Sequence, residues 1–188
     1  MKKLIIIALN TLLILCACVP ASIQHESIVK PSDGVTIPPQ VNRIAVIEFT
    51  DERHDKSSFP NPAIELQEKI INRLVTKKVN VMERSQLNKI FDEQKLSQSG
   101  LIDEKTASKI GNLLGVDAIL IGSIVDYGKV ITPVAKLDFI CRLIDVKSGE
   151  ILFSLEVDAR KTNMGYPFEV HREVINEAAE RLLNSINR

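Results

Sequence analysis

Apolar residues follow two different periods along this chain. Every second residue is apolar in the stretches 135–145 and 151–160, which is typical of strands that bury one face. The run 116–124 is almost continuously apolar and has the length of a strand buried on both faces. Two shorter apolar runs, at 43–49 and 79–82, predict further strands of the same sheet.

Four other stretches repeat their apolar residues every three or four positions, which predicts amphipathic helices. They span about 61–76, 85–98, 103–114 and 168–186. Gly115 follows the third of these helices, where a left-handed residue commonly ends a helix.

The order of these elements predicts an α/β (α+β) fold with a mixed sheet of about five strands. Helical crossovers join the early strands in parallel, and a meander supplies the antiparallel end of the sheet. A bend is expected near Asp126–Gly128, between the buried strand and the meander. With 188 residues, the chain has room for one domain, which we place at 41–188.

Composition narrows the classes of function. Without Lys2 and Lys3, which fall in a predicted leader, 22 basic residues face 24 acidic ones. Nucleic-acid binding requires a concentrated basic surface, so this balance argues against it. Aromatic residues make up only 4% of the chain and Trp is absent, which leaves little material for stacking on bases or sugars.

Residues 1–17 have the pattern of a lipoprotein signal peptide, with a basic start and an apolar run too short to span a membrane. Leu15-Cys16-Ala17-Cys18 resembles the bacterial lipobox. We predict cleavage after Ala17 and lipid attachment at Cys18, because the small Ala17 precedes it. Cys16 is the weaker candidate because it follows the large Leu15, and an ordinary cleaved signal with coincidental cysteines is the plain alternative.

The segment 18–40 begins with the cysteine predicted to be lipidated. The rest of it is proline-rich and aperiodic, which predicts a semi-extended tether. Val19 rather than Asp follows the lipidated cysteine, which in a cell with two membranes resembles an outer-membrane sorting signal. Cys141 is the only cysteine in the domain 41–188, so no disulfide can form within the domain, and its place on the apolar side of a strand predicts a core residue.

Three motifs carry a resemblance to a known family. They are MERSQLNKIFDEQKLSQSGLID at 82–103, ASKIGNLLGVDAILIGSI at 107–124 and DVKSGEIL at 145–152. In order and spacing they resemble the CsgG-type family of bacterial outer-membrane lipoproteins, the curli production assembly/transport components, from Arg43 onward. The resemblance implies an α/β domain that faces the periplasm and is held at the outer membrane by a lipid.

The resemblance also singles out the charged loop 50–62. In pore-forming members the corresponding loop lines the channel constriction, which makes Asp51, Glu52, Arg53 and Phe59 candidates for a partner or constriction loop. A solvated connection between two elements is the alternative.

Pore-forming members of this family also carry two membrane-spanning hairpins. A membrane-spanning strand needs about 9 to 11 residues, so each hairpin needs about twenty residues and a turn. The corresponding gaps here hold nine residues, at 126–134, and seven, at 161–167. We therefore predict that this chain lacks those hairpins.

The residues and the resemblance together predict a non-catalytic outer-membrane lipoprotein that serves secretion or surface assembly by binding envelope proteins. An LpoB-like activator of a cell-wall synthase, a flagellar-type accessory and a ring-forming homo-oligomer of a secretion channel are alternatives. A hydrolase using His54 or His171 is disfavoured because neither histidine has the spacing of a metal or acid-base site. No cofactor or metal is expected.

Overall fold

The structure is a computed structural model that describes residues 34–56, 60–93, 104–131, 134–162 and 169–187. The predicted signal peptide, with Ala17, and the predicted lipid-attachment residue Cys18 lie outside the described residues, as do most of the predicted tether and Phe59.

The described residues form eight strands and four helices. In chain order these are β1 (Val35–Thr36), β2 (Arg43–Val46), β3 (Thr50–Asp51), α1 (Ala63–Thr76), β4 (Asn80–Val81), α2 (Arg84–Glu93), α3 (Glu104–Leu114), β5 (Ala118–Ile131), β6 (Val134–Asp145), β7 (Ile151–Thr162), α4 (Glu169–Asn184) and β8 (Ile186–Asn187).

The main sheet has the strand order β4-β2-β5-β6-β7, and β3 pairs with β5. Strand β2 runs parallel to β4 and β5, while β5, β6 and β7 form an antiparallel meander. The predicted α/β (α+β) fold with a mixed sheet is therefore confirmed. Strands β1 and β8 form a separate parallel pair, which holds part of the predicted tether against the end of α4.

Helices cover both faces of the sheet. Helices α1 and α4 pack on one face, where Leu66 and Val174 join Phe139 in a buried layer. Helices α2 and α3 pack on the other face, where Phe91 joins Ile119 in a second layer. The alternation along the first part of β5 sends successive side chains to opposite layers, which explains why its sequence from Ala118 to Ile121 is apolar at every position.

The expected bend near Asp126–Gly128 is a β-bulge inside a continuous strand. Strand β5 runs on to Ile131, and its register with β6 shifts between Ile124 and Asp126. The extra residue, Val125, is 48% exposed. A bulge adds one residue to one strand and increases the local twist without ending the pairing.

Two helix ends use residues in the left-handed region. Gly115 ends α3 with φ 64°, as the sequence predicts, and Lys78 follows α1 with φ 62°. At both ends the next residue, Val116 or Val79, donates its amide to a carbonyl five residues earlier, the bond of a Schellman motif. None of the described helices is both long enough and apolar enough to cross a membrane.

Candidate functional site

The predicted partner loop begins as part of the sheet. Thr50 and Asp51 pair in parallel with Ser123 and Ile124 of β5, beyond the point where β2 ends. The amide of Glu52 donates to the carbonyl of Ile124 at 3.0 Å. The first residues of the loop are thus fixed by backbone bonds to a central strand.

Arg53 turns back into the protein and is only 5% exposed. Its guanidinium makes a bidentate ion pair with Asp51, with Nε donating to Oδ1 and Nη2 to Oδ2, both at 2.8 Å. Nη1 lies 3.5 Å from the carbonyl oxygen of Tyr127. A charge buried this deeply needs such a partner, because an unpaired one would lose its hydration without compensation.

Asp51 also shapes the loop that carries Arg53. Its Oδ1 accepts the amide of Arg53 at 3.2 Å, and its carbonyl accepts Nζ of Lys56 at 2.7 Å. The hydrogen bonds from Arg53 hold the pKa of Asp51 below its ordinary value, and the same pair raises the pKa of Arg53. Both groups therefore stay charged at neutral pH.

Tyr127, on the extension of β5 beyond the bulge, connects the loop to α4. The guanidinium of Arg53 lies 5.5 Å from the centre of the Tyr127 ring, within the range of a cation–π contact. The ring of His171 meets Tyr127 edge-on, with the ring centres 5.7 Å apart. Burial and the negative charge of Glu65 raise the pKa of Tyr127 to about 12, although Arg53 acts in the opposite direction.

Helices α1 and α4 complete this end of the domain. Nε of Arg172 in α4 lies 3.9 Å from Oε1 of Glu65 in α1, and the Arg172 side chain is 78% exposed. The loop, the far end of β5 and the first turns of two helices therefore meet at one end of the sheet.

The structure separates the predicted loop residues into two groups. Asp51 and Arg53 point inward, whereas Glu52 and His54 are exposed, and Phe59 lies outside the described residues. This arrangement offers a polar surface on a firmly held backbone. Within the described ranges, no three or more His, Cys, Asp or Glu residues are grouped so that they could hold a metal ion.

Sequence reasoning missed Tyr127 as a member of this site and considered His171 only as a disfavoured catalytic residue. No motif in the sequence links the two, because they lie 44 positions apart and meet only after α4 packs on the meander. Strict alternation along β5 would place Tyr127 on the face opposite Ile124, and only the extra residue Val125 brings both side chains into the same buried layer.

A second polar cluster lies on the meander. Asp126, Asp138 and Asp158 face one another across β5, β6 and β7 in register. Nζ of Lys136 lies 2.7 Å from Asp126 and 3.1 Å from Asp138, and Arg160 lies 3.5 Å from Asp158. Burial, together with the neighbouring charge of Asp158, raises the pKa of Asp138 despite its bond to Lys136.

The family model described as "Curli production assembly/transport component CsgG" matches residues 34–136. This match spans more than half of the chain, from β1 into β6. The chain belongs to the CsgG family. The resemblance read from the three sequence motifs is thus confirmed. A search of the curated proteins found no match for this CsgG-family chain.

Solved structures share the fold of this CsgG-family domain. The lipoprotein GNA1162 from Neisseria meningitidis is 19% identical with a TM-score of 0.54, and the alignment covers 73% of this chain and 98% of GNA1162. The PelC dodecamer from Paraburkholderia phytofirmans is 11% identical with a TM-score of 0.54, covering 84% and 96% of the two chains. At these identities the likeness concerns the fold alone.

Proposed function

We propose that this protein is a lipid-anchored accessory of an envelope secretion or assembly system, and that it acts by binding another protein rather than by catalysis. The observation that carries this proposal is the family match over residues 34–136, from β1 into β6. In this proposal the domain faces the periplasm and is held at the outer membrane.

The anchor proposal rests on the Leu15-Cys16-Ala17-Cys18 sequence. A thioether-linked lipid on Cys18, with further acyl chains on the new amino terminus, buries many methylenes in the membrane. Each buried methylene strengthens the binding to the membrane by about 0.8 kcal/mol. Intact-mass measurement of the protein extracted from membranes tests this. Cys18→Ser removes the mass of the lipid, and Cys16→Ser, the matched control, keeps it. Loss of the lipid in Cys16→Ser alone would assign the anchor to Cys16.

The proposed partner surface is the exposed part of the loop, at Glu52 and His54. Two features support it. Both side chains point to solvent, and the backbone between them is held by Asp51, Arg53 and the bond from Glu52 to β5. A surface with a preset conformation loses less entropy when it binds than a loose loop does.

Photo-crosslinking in living cells tests this surface. A photoreactive residue is placed at Glu52, at His54 and, as the control, at Lys147, which is exposed in the β6–β7 hairpin at the other end of the sheet. We expect the same envelope protein to be captured from positions 52 and 54 but not from 147. No adduct from the loop, or equal capture from all three positions, would contradict the proposal.

The captured protein separates the finer alternatives. A secretion or surface-assembly component supports the leading proposal, whereas a cell-wall synthase would indicate an LpoB-like activator and a flagellar protein a flagellar accessory. An adduct between two copies of this chain would indicate a homo-oligomeric ring.

A further inference from the structure

The loop 50–56 and the first turn of α4 are more than 110 positions apart, yet they pack against the same ring. Arg53 of the loop and His171 of α4 both contact Tyr127. We propose that the loop and the first turn of α4 form one cooperative unit, joined through Tyr127, that opens and closes as a whole.

The contacts that hold the loop explain why it cannot open alone. The bond between Arg53 and Asp51 lies within the loop, so this ion pair moves with the loop when it lifts. The contacts to β5 that must break include the pairing of Thr50 and Asp51 with Ser123 and Ile124 and the hydrogen bond from the Glu52 amide to the Ile124 carbonyl. They also include the contacts of the Arg53 guanidinium with the carbonyl and the ring of Tyr127. Opening the loop therefore uncovers Tyr127.

Uncovering Tyr127 affects α4 directly. Tyr127 is 6% exposed in the closed arrangement, and its ring forms the surface on which His171 packs. If the loop leaves, water reaches the ring, and the first turn of α4 loses part of its packing. Segments that share their packing in this way exchange their amides together as one unit of local unfolding.

This coupling links the proposed partner surface to the first turn of α4. If the partner binds at Glu52 and His54, as proposed above, it stabilises the closed loop and with it the first turn of α4. That consequence rests on the proposed function, whereas the coupling itself does not, since it is a property of the free protein.

Hydrogen exchange measured by mass spectrometry on the full-length lipoprotein tests the coupling without any partner. Arg53→Lys keeps the charge but loses the bidentate bond and the stacking of the guanidinium on the ring. We expect amide exchange about tenfold faster in both 50–56 and 169–173, with β5 near Ala118–Ile121 unchanged. Arg160→Lys, which alters an exposed ion pair of the same chemical type, is the control. It should leave the amide exchange rates of both segments unchanged.

A second variant, His171→Ala, tests the coupling from the side of α4 and does not depend on whether Arg53→Lys folds. Free-energy coupling between two segments acts equally in both directions, so His171→Ala must accelerate exchange in the loop 50–56. The proposal is overturned if His171→Ala leaves the loop unchanged, or if Arg53→Lys accelerates the loop but not α4. If Arg53→Lys unfolds the whole domain, the His171→Ala result alone decides.

Discussion

A β-carbon placed on Gly122 would lie 2.3 Å from Cε1 of Phe49. It would also lie 2.4 Å from the carbonyl oxygen of Ile140 on the adjacent strand. The ring of Phe49 fills this space and meets Phe139 edge-on at 5.4 Å. Gly122 is therefore needed for close packing of an aromatic ring onto the sheet.

Gly122→Ala should destabilise the domain by about 2 kcal/mol, because neither the buried ring nor the backbone oxygen can move away freely. Urea unfolding followed by circular dichroism measures this change. Ser154→Ala, at an exposed position of β7, is the control and should change stability by less than about 0.5 kcal/mol. Equal stability of Gly122→Ala and the wild type would show that Phe49 can repack.

Lys78→Gly should stabilise the domain. Lys78 has φ 62°, a conformation that costs a residue with a β-carbon about 1 kcal/mol more than glycine. The Schellman bonds at this helix end use only backbone atoms, so the substitution preserves them. The same unfolding assay should show a gain of up to about 1 kcal/mol. Lys69→Gly, inside α1, should instead lower the stability of the domain by about 1 kcal/mol.

Asp138→Asn should raise stability at neutral pH and leave it unchanged in acid. The pKa of Asp138 is raised, so its ionised form is less favourable in the folded protein than in the unfolded chain. The wild type therefore gains stability as the pH falls through that raised pKa, and it lacks this contribution at higher pH.

Because Asp138 is partly solvated, the stabilisation at pH 7 should stay below about 1 kcal/mol. Melting temperatures between pH 3 and pH 8 provide the measurement. The difference in melting temperature between Asp138→Asn and the wild type should become smaller towards pH 3. A difference that is constant with pH would indicate a packing effect instead.

Cys141 should be unreactive in the folded domain. It is completely buried, as the sequence predicts, and burial raises its pKa to about 12. At pH 8 the thiolate fraction is then lower by more than about a thousandfold than for an ordinary cysteine. Peptide mapping after iodoacetamide treatment should find Cys141 unmodified under native conditions and alkylated in urea. Rapid labelling of the native protein would contradict the buried position.

Periodicity predicted the sheet because strands such as β6 alternate regularly between a buried and an open face. It failed where one added residue changes the phase. Val125 shifts the register of β5, and the polar Asp126 and Gly128 that follow it resemble a turn in sequence. Only pairing with β6 distinguishes a bulge from a bend, and that pairing is a non-local interaction.

The loop residues illustrate a different difficulty. A run of charged residues indicates an exposed loop, and Glu52 and His54 follow that rule. Arg53 does not, since its long side chain reaches an ion-pair partner two residues earlier and an aromatic ring 74 residues later. Sequence composition cannot reveal which charge in such a run is neutralised inside the fold.

The pairing of β1 with β8 determines how the domain responds to mechanical load. Tension applied to the chain before Val35 acts first on two backbone hydrogen bonds. The amide of Val35 donates to the carbonyl of Ser185 at 2.8 Å, and the amide of Ile37 donates to the carbonyl of Asn187 at 3.0 Å. Lys77 braces the same point by donating to the carbonyl of Ile186 at 2.8 Å. This short ladder lies outside the main sheet, so we expect its hydrogen bonds to break under tension before the pairing of β2 in the main sheet is strained.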